Sequence, residues 1–96
     1  MIKADPLDAA VYLETEADIA EYLSVAFETG ELEDVTHALA TVARARGMTE
    51  MARRSGMARG SLYKAIGEGA NPTLATVLAL LSALNLRLSV KSEPVA

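Results

Sequence analysis

Between Met48 and Gly67 the chain reads Met-Thr-Glu-Met-Ala-Arg-Arg-Ser-Gly-Met-Ala-Arg-Gly-Ser-Leu-Tyr-Lys-Ala-Ile-Gly, and few folds accommodate that spacing. Ala52 is small enough for two helices to cross closely. Four residues later, Gly56 stands where a tight turn needs a positive φ, which glycine adopts without steric cost. Leu62 then anchors a second helix, with Met51, Met57 and Ile66 as neighbouring apolar positions. Two short helices about a glycine turn form either an ordinary helical hairpin or the helix-turn-helix that lays its second helix in the DNA major groove. The polar residues of that second helix are Arg59, Ser61, Tyr63 and Lys64. None is acidic, which favours the DNA-reading alternative.

The net charge of −4 over 96 residues argues against nucleic acid until it is divided. Residues 1–34 hold ten acids and one base, a net −9, whereas residues 35–96 hold three acids and eight bases, a net +5. Two surfaces of opposite sign suggest two kinds of partner, although an acidic helix face can also be simply solvated. The length suits one domain with a modest core. There is no Cys, so disulfides and thiolate metal sites are excluded. The start lacks a signal-peptide core, and the apolar stretch from Leu74 to Leu88 is too short and interrupted to span a bilayer. A soluble, cytoplasmic protein is expected.

The remaining pattern predicts consecutive short helices. Residues 7–13 form one turn that packs Leu7, Val11, Tyr12 and Leu13. Thr15 to Asp18 makes a capping box, with Asp in the place of the usual Glu or Gln. Ile19, Tyr22, Leu23, Ala26 and Phe27 follow at helical spacing until Gly30 stops the helix. A second helix from about Glu31 puts Leu32, Val35, Leu39 and Val42 on one face. Its acids lie at the N-terminus and Arg44 and Arg46 at the C-terminus, as the helix dipole favours, and Gly47 caps it. Asn71 and Pro72 signal a final helix start, with Asn71 as cap. That helix carries Leu74, Val77, Leu78, Leu81 and Leu84.

The period then changes. Leu86-Arg-Leu-Ser-Val-Lys91 alternates apolar and polar residues, which predicts a strand or, alternatively, an extended tail. No other convincing strand is readable in the sequence, so a partner is expected from outside this copy. The simplest is a second copy across a two-fold axis, with Leu86, Leu88 and Val90 at the dimer contact.

The span from about Thr15 to Lys91 resembles a lambda-repressor-type DNA-binding domain of the XRE family. More narrowly it resembles the HigA-type antitoxins, the addiction module antidote proteins. The matching stretches are Ala43-Arg-Ala-Arg-Gly-Met-Thr49, Ser61-Leu-Tyr-Lys-Ala65, Asn71-Pro-Thr-Leu-Ala-Thr76 and Leu84-Asn-Leu-Arg-Leu-Ser-Val90. The resemblance implies an all-α fold, a five-helix DNA-binding domain with a C-terminal β-strand used in dimerisation. It divides the chain into an acidic helical extension (1–30), a helix-turn-helix domain with its strand (31–91) and a tail (92–96). It also implies an operator in the protein's own promoter and a small basic RelE/HigB-like ribonuclease toxin held inactive. A stand-alone phage-type repressor is the alternative. Three positions depart from the pattern: Met48 replaces the usual Gln, Ala58 replaces a Ser or Thr cap, and Gly60 weakens the first turn of the recognition helix. Modest affinity per monomer is expected, with dimerisation required.

On this reading Arg59 and Lys64 reach base edges, Arg by gripping guanine O6 and N7 with two N–H groups. Ser61 and Tyr63 bond to bases or phosphates, and Gly60 allows close approach. Arg53 and Arg54 meet phosphate unless they are merely solvated, as do Thr49, which caps the first motif helix, and Asn71 and Thr73 at a helix start. Two recognition helices in a dimer would lie about 34 Å apart on a palindromic site. The −9 segment matches a basic ribonuclease electrostatically, with Tyr12, Tyr22 and Phe27 as candidate anchors if core packing leaves them free. No enzyme is expected: His37 is the single His, no nucleophile–base set or phosphate loop appears, and Glu14, Glu16 and Asp18 read as a helix start rather than a metal site. No cofactor is implied.

Overall fold

The computed structural model describes residues 13–94, which form five helices and no strand. The expected turn over residues 7–13, except Leu13, lies outside the described residues, as does Tyr12; Leu13 itself is buried.

Helix α1 (Glu16–Glu28) opens on a complete capping box. Thr15 Oγ1 accepts from the Asp18 amide at 3.0 Å, and the Asp18 carboxylate accepts from the Thr15 amide at 3.2 Å. The shorter Asp therefore does the work of Glu. Ile19 and Leu23 are buried, Tyr22, Ala26 and Phe27 half-buried, and Gly30 leaves the helix at φ +72°. Helix α2 (Leu32–Arg46) packs along α1 and buries a continuous run from Ala38 to Ala43. Buried Thr36 and Thr41 cause no polar deficit, because their hydroxyls donate to the carbonyls of Leu32 and His37, four residues back. Leu32, expected on the apolar face, is largely exposed because it occupies the first turn, before the packed stretch begins.

Gly47 is the whole connection to helix α3 (Met48–Ser55). At φ +98° its N–H donates to the Ala43 carbonyl at 2.8 Å while its own carbonyl accepts from Met51 at 2.9 Å. One residue thus closes one helix and opens the next. This corrects the expected cap at Thr49: the chain is already helical at Met48, so Thr49 lies inside the first turn and caps nothing.

Met51 and Ala52 of α3 are buried, Gly56 turns the chain at φ +77°, and helix α4 (Arg59–Ile66) follows. Leu62 and Ile66 fix α4 to the core; Leu62 has no exposed surface. Helix α5 (Leu74–Ala83) is capped by Thr73, whose Oγ1 accepts from the Thr76 amide at 3.1 Å. The expected cap at Asn71 is corrected accordingly: the helix begins at Leu74, so Thr73 holds the cap position and Asn71 lies two residues before it. The buried stripe of α5 runs through Val77, Leu80 and Leu81 and continues into Leu84, just past the helix end. Leu74 and Leu78, expected in the core, lie beside that stripe and are 63% and 45% exposed.

After α5, Asn85 takes φ +62° and its side-chain Nδ2 donates to Glu16 Oε2 at 2.7 Å, tying the end of the helical core to its beginning. Leu86 donates to the Leu81 carbonyl at 2.8 Å, and none of the described residues beyond it makes a backbone–backbone hydrogen bond to another described residue. The expected strand over 86–91 is therefore not formed among the described residues. Strand geometry needs a neighbouring ladder, and the described residues supply none. The segment instead borders an open groove whose opposite wall is Ala20, Leu23, Ser24 and Phe27 of α1. None of the described helices is long and apolar enough to cross a membrane.

Candidate nucleic-acid interface

Helix α4 is amphipathic in its simplest form. Leu62 and Ile66 face inward, and Arg59, Gly60, Ser61, Tyr63 and Lys64 are all exposed. Ala58 precedes it in extended conformation with no side-chain cap, as its methyl side chain requires. Its first-turn N–H groups therefore point outward without a side-chain acceptor. A Cβ at Gly60 would meet nothing within 4 Å, so packing does not demand glycine there; the missing side chain simply keeps that surface low.

Two arrangements of arginine stand side by side in sequence and differ in chemistry. On α3, Glu50 receives Arg53 Nε at 3.1 Å and Arg54 Nε at 2.9 Å. These hydrogen bonds, Arg53 first, hold the Glu50 carboxyl below its ordinary value. Arg54 also donates to the Ala83 carbonyl at 3.3 Å, so it bridges α3 to the end of α5. On α4, Arg59 meets no carboxylate among the described residues. Its guanidinium lies over the Tyr63 ring, 5.5 Å from the centroid, and Nη2 donates to the Tyr63 hydroxyl at 3.2 Å. Residues 48–67 carry four basic side chains against one acid, a local net of +3.

Of the other sequence-derived candidates, Thr49 and Asn71 are exposed, and Thr73 is exposed but committed to capping α5. Leu86 is half-buried, Leu88 40% exposed and Val90 96% exposed, so apolar surface increases toward the chain end. Tyr22 and Phe27 pack against the core, and the exposed large apolar residue of α1 is Val25. The stretch from Glu14 to Asp34, covering α1 and the start of α2, also exposes Glu14, Glu16, Glu21, Glu28, Glu31, Glu33 and Asp34. Among the described residues no group of three or more His, Asp or Glu side chains could hold a metal ion, and His37 is exposed. Sequence reasoning did not single out Glu50, although its spacing to Arg53 and Arg54 is that of neighbours on a helix. The same spacing joins Arg59 to Tyr63.

A family model described as "Probable addiction module antidote protein" matches residues 3–92. An uncharacterized protein of Haemophilus influenzae is 40% identical over 86 residues, which cover 90% of this chain and 89% of the relative. No solved structure matches.

Proposed function

Because the chain belongs to the probable addiction module antidote family, we propose that it is the antitoxin of a toxin–antitoxin pair and acts through two surfaces of opposite charge. The basic surface binds operator DNA in the protein's own promoter and represses transcription, with α3 and α4 as a helix-turn-helix in a lambda-repressor-type domain. The observation that carries this reading is α4: Leu62, fully buried, fixes a helix whose exposed side offers Arg59, Ser61, Tyr63 and Lys64 and no acid. Arg59 and Lys64 reach base edges, while Arg53, Thr49 and the start of α5 face phosphate. Arg54 is engaged with Glu50 and Ala83, so its part is to hold α3 against α5.

The protein works as a dimer. The segment 86–91, which forms no ladder with the described residues, pairs with the same segment of a second copy, and Leu88 and Val90 lose water in doing so. The acidic surface of α1 and the start of α2 neutralises a basic RelE/HigB-like ribonuclease, with exposed Val25 at its centre of apolar contact rather than half-buried Tyr22 and Phe27. The protein acts in the cytoplasm by binding alone, without catalysing a reaction.

The test is a gel-shift with the DNA upstream of the protein's own gene, alongside co-purification with the product of the adjacent reading frame. Saturable retardation of the upstream DNA, a dimer by sedimentation and relief of toxicity by co-expression are expected. Equal retardation of unrelated DNA of the same length refutes the operator reading. Unrelieved toxicity refutes the antitoxin reading.

A further inference from the structure

Tyr63 is an aromatic residue without a core to fill. It is 50% exposed, its helix is already fixed by Leu62 and Ile66, and the contact its ring makes is with the guanidinium of Arg59 one turn earlier. A free arginine side chain carries about 2 kcal/mol of rotamer entropy that must be lost on binding a ligand in one geometry. The cation–π contact at 5.5 Å and the 3.2 Å hydrogen bond to the hydroxyl restrict those rotamers before any ligand arrives. The nearby alternative shows why the restraint is aromatic. Glu50 restrains Arg53 and Arg54 but cancels their charge locally. Tyr63 restrains Arg59 and leaves its charge intact. It also takes one of the five N–H groups of the guanidinium, so the others stay available for an acceptor.

We propose that Tyr63 is a positioning residue that holds the Arg59 guanidinium aligned for two-point recognition of a guanine edge, rather than reading a base itself. This role rests on the operator-binding reading of α4. It makes residues 59 and 63 one recognition unit whose preference is a guanine at one position of each half-site.

A randomised duplex library selected on the wild-type protein supplies the probe. Affinities for the selected duplex are then compared with those for duplexes in which each guanine in turn becomes 7-deazaguanine, which keeps base pairing but lacks the N7 acceptor. One position is expected to weaken wild-type binding about tenfold, within the range for loss of a bidentate contact. Arg59→Ala and Tyr63→Leu should each lose that sensitivity, Tyr63→Phe should keep part of it, and the double variant should bind no more weakly than Arg59→Ala alone. Multiplying effects, with guanine discrimination intact in Tyr63→Leu, overturn the proposal. In the free protein, the Arg59 side-chain resonances should carry a ring-current shift that Tyr63→Leu removes. Its absence overturns the pairing whatever the DNA result. If the wild type selects no duplex, the operator reading fails and this role falls with it. A ring-current shift in that protein would place the failure with the reading rather than with the pair.

Discussion

Two glycines at opposite ends of α4 should respond with opposite sign to the same added methyl group. Gly60 lies in the first turn, and a Cβ there meets nothing within 4 Å. Ala in place of Gly in a helix gains about 0.5–1 kcal/mol, mostly by reducing the freedom of the unfolded chain. Gly67 follows the last turn at φ −72°, ordinary backbone for any residue, but a Cβ there would stand 2.9 Å from the Tyr63 carbonyl oxygen. That oxygen belongs to the main chain of a helix pinned by Leu62 and Ile66, so it cannot rotate away. Relieving such a contact costs about 1–3 kcal/mol. For a chain of this size each kcal/mol moves the midpoint by about 4–8 °C. Gly60→Ala should therefore raise Tm by about 2–8 °C and Gly67→Ala should lower it by at least about 4 °C, read by circular dichroism at fixed protein concentration. Gly60→Ala should also weaken operator binding, because the methyl stands on the surface proposed to approach the groove. A Gly67→Ala protein as stable as the wild type would refute the close approach at the end of α4. A Gly60→Ala protein less stable than the wild type would refute the helical, open setting of residue 60.

Leu62→Ala should cost about 2–5 kcal/mol, since it empties the fully buried centre of the motif, whereas Tyr63→Leu on the same helix should stay within about 0.5 kcal/mol; urea unfolding compares them. Thr73→Ala should cost about 1 kcal/mol through loss of the α5 cap and Asn71→Ala only a few tenths, an order that thermal melts can reverse if Asn71 is the true cap. Glu50 has a lowered folded pKa, so its pairing with Arg53 and Arg54 contributes stability above the unfolded carboxylate value and loses it as pH falls through the folded one. The stability gap between wild type and Glu50→Gln should accordingly be present at neutral pH and close in acid. A gap that persists in acid would show that the ion pairs do not cause it. On the operator reading, the same substitution frees Arg53 for phosphate and should steepen the salt dependence of DNA binding.

The helices, their order and the turn at Gly56 were legible because each depends on local patterns: apolar spacing, a capping box and glycine where φ is positive. The α5 cap is less legible, because Asn71-Pro72 and Thr73 both carry start signals and choosing between them needs the actual path into the helix. Thr49 was misread for a related reason, since a one-residue connection at Gly47 leaves no room for a cap beyond it. Leu74 and Leu78 share the residue type of the core without its angular position. The segment 86–91 shows the sharpest limit. Its alternation states which side chains belong on one face, but a ladder is a property of two strands. The exposed polar residues of α4 were readable from spacing alone, whereas Arg54 could be assigned to α5 only once Ala83 was seen beside it.

Gly47 also determines how the two charged surfaces communicate. With a single residue between α2 and α3, and with its N–H and carbonyl serving both helices, there is no slack to let one unravel while the other stays formed. Acidic and basic surfaces thus belong to one cooperative folding unit. Any ligand held by the folded form of either surface adds RT ln(1 + [L]/Kd) to the stability of both. Occupancy of the acidic face would consequently be measurable as slower amide exchange in α3, on a surface that ligand never touches.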